Sequence, residues 1–364
     1  MEGSPQSHFG RPAEYTGHRF SFSGSAKEYF GIWIVNVLLT IITLGIYSAW
    51  AKVRRNRYFY GNTKLADSWF DYHARPTQIL LGRIIVIGYL IIYNLLLHFL
   101  PIAGFMLALV FLIAVPWLIV RGLRFSARVT SYRNVRFDFV GGYWGAVRAF
   151  FLGSIVSGIT LGILAPIASR WMLRYTLGNL RYGGKEFSPD PTLGSLYRVW
   201  VLPAVLTLIG LVLFAIVALG ASAGLQAMRN MNIPGDQTGE LAFILIVYLI
   251  FIPILLIYAV TGLLYTAGIR NAGFSATTFD NRHYLFSDMP RWRYAWVVIS
   301  NLIVTLLTFG LMRPWAAVRL ARFHADYTAI VFDGDVGEIF SDIKDTGSAV
   351  GSEFMDIEGI DFGF

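Results

Sequence analysis

The chain has 364 residues, 55% of them hydrophobic and only 14% charged, with a formal net charge of +8 and no cysteine. A soluble domain carries about 25% charged residues, so this composition excludes an ordinary water-soluble protein. The missing cysteines exclude disulfides, thiolate metal sites and cysteine nucleophiles.

Residues 1–17 are polar and read as a flexible N-terminus without a secretory signal. Six stretches then lack any Asp, Glu, Lys or Arg: 29–51, 84–120, 149–169, 199–228, 241–269 and 294–312. A helix crosses a bilayer with about 20 apolar residues. The first stretch holds Asn36 and ends in Thr43-Leu-Gly45, then gives way to Trp50, Lys52, Arg54, Arg55 and Arg57. Asn62–Tyr72 is a weak β-hairpin candidate. The run 84–120 holds Asn94 and is long enough for two crossings joined at Leu100-Pro101. Short aromatic and β-branched runs around Asn134, Gly183-Gly184 and Asp280-Asn281 read as β-hairpins, because these residues tolerate the positive φ of two-residue turns. Between them lie Gly162 with Arg170, Trp171 and Arg174, and the apolar pair within 199–269. The last apolar stretch holds Asn301 and Gly310 and runs into Arg313, Trp315, Arg319 and Arg322. Val331–Phe340 is a further weak hairpin candidate. The segment 341–364 is an acidic tail: from Asp333 on, nine acidic residues face the single Lys344.

The segments from Thr43, Thr160 and Thr308 share a Thr-Leu/Phe-Gly core, and Arg57, Arg174 and Arg322 each follow their Thr by 14 residues. These matches imply a threefold pseudo-repeat over about 18–75, 135–190 and 282–333. Two arrangements follow. If every apolar stretch crosses, seven spans leave 18 Lys/Arg inside and 12 outside. If the three repeat segments re-enter on one side, only two hairpins cross, about 84–120 and 199–269, and the outer loops hold Arg229 alone. Basic excess in short loops sets orientation, so the re-entrant arrangement fits better. It puts both termini in the cytoplasm. Gly45, Gly162 and Gly310 are the expected bends.

The fold class expected is therefore an α-helical multi-pass membrane protein with short cytoplasmic β-hairpins, in one integral domain spanning 18–340. The residues Tyr29-Phe-Gly-Ile-Trp-Ile-Val-Asn36, Thr43-Leu-Gly-Ile-Tyr-Ser-Ala-Trp-Ala-Lys-Val-Arg54 and Phe70-Asp-Tyr-His73, with Pro314-Trp-Ala, resemble the YjgN-like family of bacterial inner-membrane proteins, grouped under a domain of unknown function. The resemblance covers about 18–335 and implies a multi-pass protein of the inner membrane. It brings no activity, cofactor or catalytic residue.

No nucleophile–base pair, phosphate loop or metal-ligand spacing is visible, so no cofactor, metal or catalytic residue is expected, nor a nucleic acid partner. The candidate functional residues are the three basic–aromatic clusters. Arg forks match phosphate oxygens, which points to anionic lipid headgroups, with a cytoplasmic protein as a further partner. Asn36, Asn94 and Asn301 are polar groups inside apolar runs, read either as hydrogen bonds between helices or as ligands in a pathway. The alternative function is accordingly a transporter or channel running between the repeats.

Overall fold

Alternation of inward and outward side chains, interrupted by three two-residue turns and one three-residue turn, organises the strands into a single antiparallel sheet. The structure, a computed structural model, describes residues 15–230 and 237–343. Eleven strands take the spatial order β1-β11-β10-β9-β8-β7-β6-β5-β4-β3-β2. They are β1 (Tyr15–Arg19), β2 (Ser21–Phe22), β3 (Thr63–Leu65), β4 (Ser68–Tyr72), β5 (Thr130–Tyr132), β6 (Val135–Phe139), β7 (Leu180–Tyr182), β8 (Lys185–Pro189), β9 (Thr277–Phe279), β10 (His283–Ser287) and β11 (Thr328–Asp333). The two ends of this order, β1 and β2, are separated in the chain by Phe20 alone. The sheet therefore curls into a nearly closed barrel, which leaves little edge open to pairing. Phe20 bridges the join by donating its N–H to the Thr328 carbonyl at 3.0 Å.

The tight turns gather at one end of the barrel, the turn end. Ala66-Asp67, Arg133-Asn134 and Gly183-Gly184 have positive φ, as two-residue hairpin turns require, and so do Asp280 and Asn281 in the three-residue turn that Arg282 completes. At the opposite, helix end, five pairs of helices interrupt the sheet. They are α1 (Ala26–Ile42) with α2 (Ser48–Gly61), α3 (Pro76–Phe99) with α4 (Pro101–Arg128), and α5 (Tyr143–Ile159) with α6 (Ala165–Thr176). The last two are α7 (Leu193–Asn230) with α8 (Gln237–Ser275), and α9 (Arg291–Leu307) with α10 (Arg313–Asp326). The strands flanking each helical pair are hydrogen-bonded to each other. Each pair therefore leaves and re-enters the same rim.

Short and long pairs alternate. At 1.5 Å per residue, the 17 residues of α1 or α9 reach about 25 Å, whereas the 28 of α4 reach about 42 Å. Among the described residues, four helices are long and apolar enough to cross a membrane: Pro76–Phe99, Pro101–Arg128, Leu193–Gly224 and Phe251–Ser275. Exposed Ile, Leu, Val and Phe side chains cover α3 and α4.

The barrel interior is an aromatic core of Leu65, Tyr132, Tyr182, Phe279 and Phe332. The Tyr182 hydroxyl donates to the Tyr132 carbonyl at 2.9 Å, and burial pushes the Tyr182 phenol well above its usual range. A short helix at 336–343, α11, closes the turn end by burying Phe340 and Ile343 in this core.

Two expectations change. The β-hairpins are not separate modules; they share one sheet. The candidate hairpin at Val331–Phe340 does not form, because Val331 and Phe332 pair with β1 and Phe340 lies on α11. The described elements run from Tyr15, which opens β1, to Ile343, which joins the core. Residues 1–14 and the acidic segment beyond 343 lie outside the described residues.

Candidate functional site

The Thr-Leu/Phe-Gly segments form the tips of the three short helical pairs, and all three have the same geometry. Leu44, Leu161 and Phe309 have φ near +50°, and Gly45, Gly162 and Gly310 have φ of +93°, +87° and +89°. A glycine suits the second position, where a side chain would be strained. The threonine joins the two helices. Thr43 Oγ1 donates to the Leu39 carbonyl at 2.7 Å and accepts from the Tyr47 N–H at 2.9 Å. Thr160 and Thr308 repeat both bonds with Val156 and Leu164 and with Val304 and Met312. The apolar residue between them projects outward: Leu44 is 94%, Leu161 90% and Phe309 97% exposed. Ala49, Pro166 and Pro314, just beyond each tip, are fully buried.

The expected polar residues divide by what they touch. Arg54 Nη1 donates to Asn36 Oδ1 at 3.4 Å and to the Tyr47 hydroxyl at 3.1 Å. Arg319 Nη1 donates to Asn301 Oδ1 at 3.0 Å and Ser300 Oγ at 2.7 Å, with its guanidinium 5.1 Å from the Trp315 ring centre. Both asparagines thus bind across a helical pair. The middle pair has neither residue; there Gly153 packs against Ala168. Asn94 differs, since its amide donates to Leu90 of its own helix at 2.7 Å.

Arg57, Arg174 and Arg322 tie the helices to the rim. Arg57 Nε donates to the Tyr72 carbonyl at 3.4 Å, Arg322 Nη2 to the Gly24 carbonyl at 3.2 Å, and Arg174 pairs with Asp190, which Arg170 also reaches at 3.4 Å. The Arg174 guanidinium holds the Asp190 carboxyl below its ordinary range. The long pairs carry the same tie. Arg124 Nε donates to the Phe139 carbonyl at 3.3 Å, and Asn271 Nδ2 to the Met289 carbonyl at 2.8 Å. All five stand six residues before the strand that follows, at Thr63, Thr130, Leu180, Thr277 and Thr328. Sequence reasoning missed Arg124 and Asn271; constant spacing to the next strand was the available signal.

Lys52, Arg55 and Arg313 are exposed and have no carboxylate partner among the described residues. Arg55 lies 5.9 Å from the Phe59 ring centre. Trp50 and Trp315 are half-buried at the same level of their helices, and Trp171, also half-buried, stands one turn further from its tip.

A cavity of about 390 Å³ opens at the helix end of the barrel, lined by Phe20, Phe59, Phe70, Arg270, Phe274 and His324 among others. Arg270 donates to the hydroxyls of Ser287 at 2.5 Å and Thr328 at 2.6 Å and lies 4.5 Å from the centre of the Phe274 ring. Burial, with a smaller contribution from Arg270, pushes the His324 imidazole down to about 4. Its buried Nε2 has no hydrogen-bond partner among the described residues. Among the described residues, no three His, Cys, Asp or Glu side chains are grouped to hold a metal ion.

The model of a family described as a bacterial protein of unknown function (DUF898) matches residues 17–357. The chain is similar to the inner membrane protein YjgN of Salmonella typhimurium, at 29% identity over 90% of this chain and 92% of that protein. It is also similar to the inner membrane protein YjgN of Escherichia coli K12, at 35% identity over 43% of this chain and 39% of that one. No solved structure matches the chain.

Proposed function

Since the chain belongs to the bacterial DUF898 family and is an inner-membrane protein, we propose that it is a non-enzymatic, lipid-engaging barrel whose helical pairs all enter the bilayer from one face. The observation that carries this reading is the contrast between the tips and the roots of the short pairs. Each tip presents a bare Leu or Phe, and each second helix carries Trp and then Arg or Lys towards the rim. That order suits a re-entrant helix rising from acyl chains to headgroups. The backbone at each tip supplies its own partners, as a non-helical turn at membrane depth must.

In this reading the two long pairs cross and the barrel stands in the cytoplasm with both termini. The three short units are copies of one another. Lys52 and Arg55, unpaired on α2, and Arg313, unpaired at the start of α10, bind anionic headgroups. Arg54, Arg57, Arg170, Arg174, Arg319 and Arg322 are engaged within the protein and serve the lipid only through the shape of the rim. A cytoplasmic partner would meet the turn end. A solute pathway along the barrel axis would need a polar line, and the aromatic core with α11 fills that axis.

The native chain lacks cysteine, so single cysteines report topology directly. At Ile102, in the first turn of α4, a cysteine should react with an impermeant thiol reagent on intact spheroplasts. At Asp67 it should react only after permeabilisation. At Leu44, Leu161 and Phe309 it should be reached from neither side, and a fluorophore there should be quenched by lipid-borne nitroxides. Labelling of the three tips from outside would mean that the short pairs span, and the reading would fail.

A further inference from the structure

We infer that the cavity at the helix end of the barrel binds one anionic amphiphile, with its phosphate or carboxylate head on Arg270 and its chain along the aromatic wall. This deepens the lipid-engaging reading and rests on that end facing the bilayer. The first support is the charge itself. Arg270 is half-buried, and its bound groups, the Ser287 and Thr328 hydroxyls and the Phe274 ring, are all neutral. No carboxylate of the described residues pairs with it. A guanidinium drawn out of water without a counter-charge is costly, and it carries more donors than the two these hydroxyls occupy.

The second support is that the fold does not demand a cation there. Arg270 stands seven residues before Thr277; at the same distance from their strands the other pairs carry Asn56, Leu123, Leu173 and Ala321. Two of the four are leucines and one is alanine, so the position is compatible with apolar packing. The third is His324, which faces the same cavity with an unpartnered buried Nε2. As a neutral imidazole its Nε2 can donate to an anion in the appropriate tautomer or accept from a protonated head.

The walls decide between a small ion and an amphiphile. Phe20, Phe59, Phe70 and Phe274 offer nothing to the hydration shell of a free phosphate. They suit an acyl chain, and about 390 Å³ holds a headgroup with part of its chain. Arg over Lys also fits, since a planar fork can meet two oxygens of one head.

The test uses the full chain in nonionic detergent, titrated with dioleoyl phosphatidylglycerol and read by native mass spectrometry. Wild type should retain one phosphatidylglycerol and show no such retention of dioleoylglycerol, and inorganic phosphate should not displace the lipid. Arg270→Gln should weaken retention by roughly ten- to a hundredfold, the loss expected for a charged hydrogen-bond partner. Ala321→Phe, which fills the cavity and keeps Arg270, should abolish it at an unchanged unfolding temperature. Lys52→Gln with Arg55→Gln and Arg313→Gln should leave the single bound lipid in place; loss of general anionic-lipid enrichment in that variant concerns those three surface cations alone. Unchanged retention in both Arg270→Gln and Ala321→Phe, equal retention of dioleoylglycerol, or displacement by inorganic phosphate would each overturn the proposal.

Discussion

At the turn end of the barrel, Lys185 meets Asp280 at 3.1 Å and Asp342 at 3.6 Å, and Phe340 and Ile343 seal the aromatic core behind them. At the helix end, the same strands surround a cavity in which Arg270 meets only hydroxyls and a ring. One end is closed and sealed by ion pairs beside Arg133, which lies over the Phe340 ring; the other is open and carries a cation with neutral partners only. The difference teaches that the barrel is stabilised from the end that faces away from the helices, which leaves the helix end free for a less stable arrangement.

The sharpest way to break this comparison is at Gly183, where φ is +56° and an added Cβ would lie 2.3 Å from the Ile343 side chain. Gly183→Val should cost about 3 kcal/mol or more, from strain and displaced packing together. It should free the C-terminal segment to limited proteolysis. Phe340→Ala should cost about 3 kcal/mol by opening the core without backbone strain, read as a lower midpoint of thermal unfolding.

The helix end should respond to pH instead. His324 is held neutral, its pKa lowered to about 4 from an ordinary value of 6.5. The folded state then binds fewer protons than the unfolded chain between those values, so stability is present above about pH 6.5 and is lost as pH falls towards 4. The loss should be about 2 kcal/mol after allowance for partial exposure. His283, buried in the core, shifts in the same direction. His324→Phe should flatten part of the slope, and a slope equal to wild type would show that His324 does not carry it.

The smallest effect should come from the tips. Gly310→Ala meets nothing within 4 Å, so only the strain of a side chain at φ +89° remains, about 1 kcal/mol. If it costs as much as Gly183→Val, the tip is packed against something, and its exposure to lipid would have to be abandoned.

Much of this was legible in local sequence. Thr43-Leu-Gly45 and its two counterparts specify a turn because the hydroxyl, the outward apolar residue and the glycine act within five residues of one another. Asn134, Gly183-Gly184 and Asp280-Asn281 mark positive-φ turns for the same reason. The basic–aromatic clusters were visible as runs, but their partners were not: whether an arginine meets Asn301, the Tyr72 carbonyl or no protein group depends on how neighbouring helices and strands pack. Arg270 and His324 looked unremarkable, one at the end of an apolar stretch and the other amid Arg and Ala.

The sequence by itself determined the membrane class, the places of the apolar stretches and the bends within them, because hydropathy and backbone sterics act over a few residues. Tertiary structure decided that the hairpins share one barrel, that β1 pairs with β11 across more than 300 residues, and that all five helical pairs spring from its one rim. Strand partners and register are set by which residues can fill a common interior together, and that sum is taken over the whole chain. The same closure leaves Arg270 facing a cavity with no carboxylate to meet it.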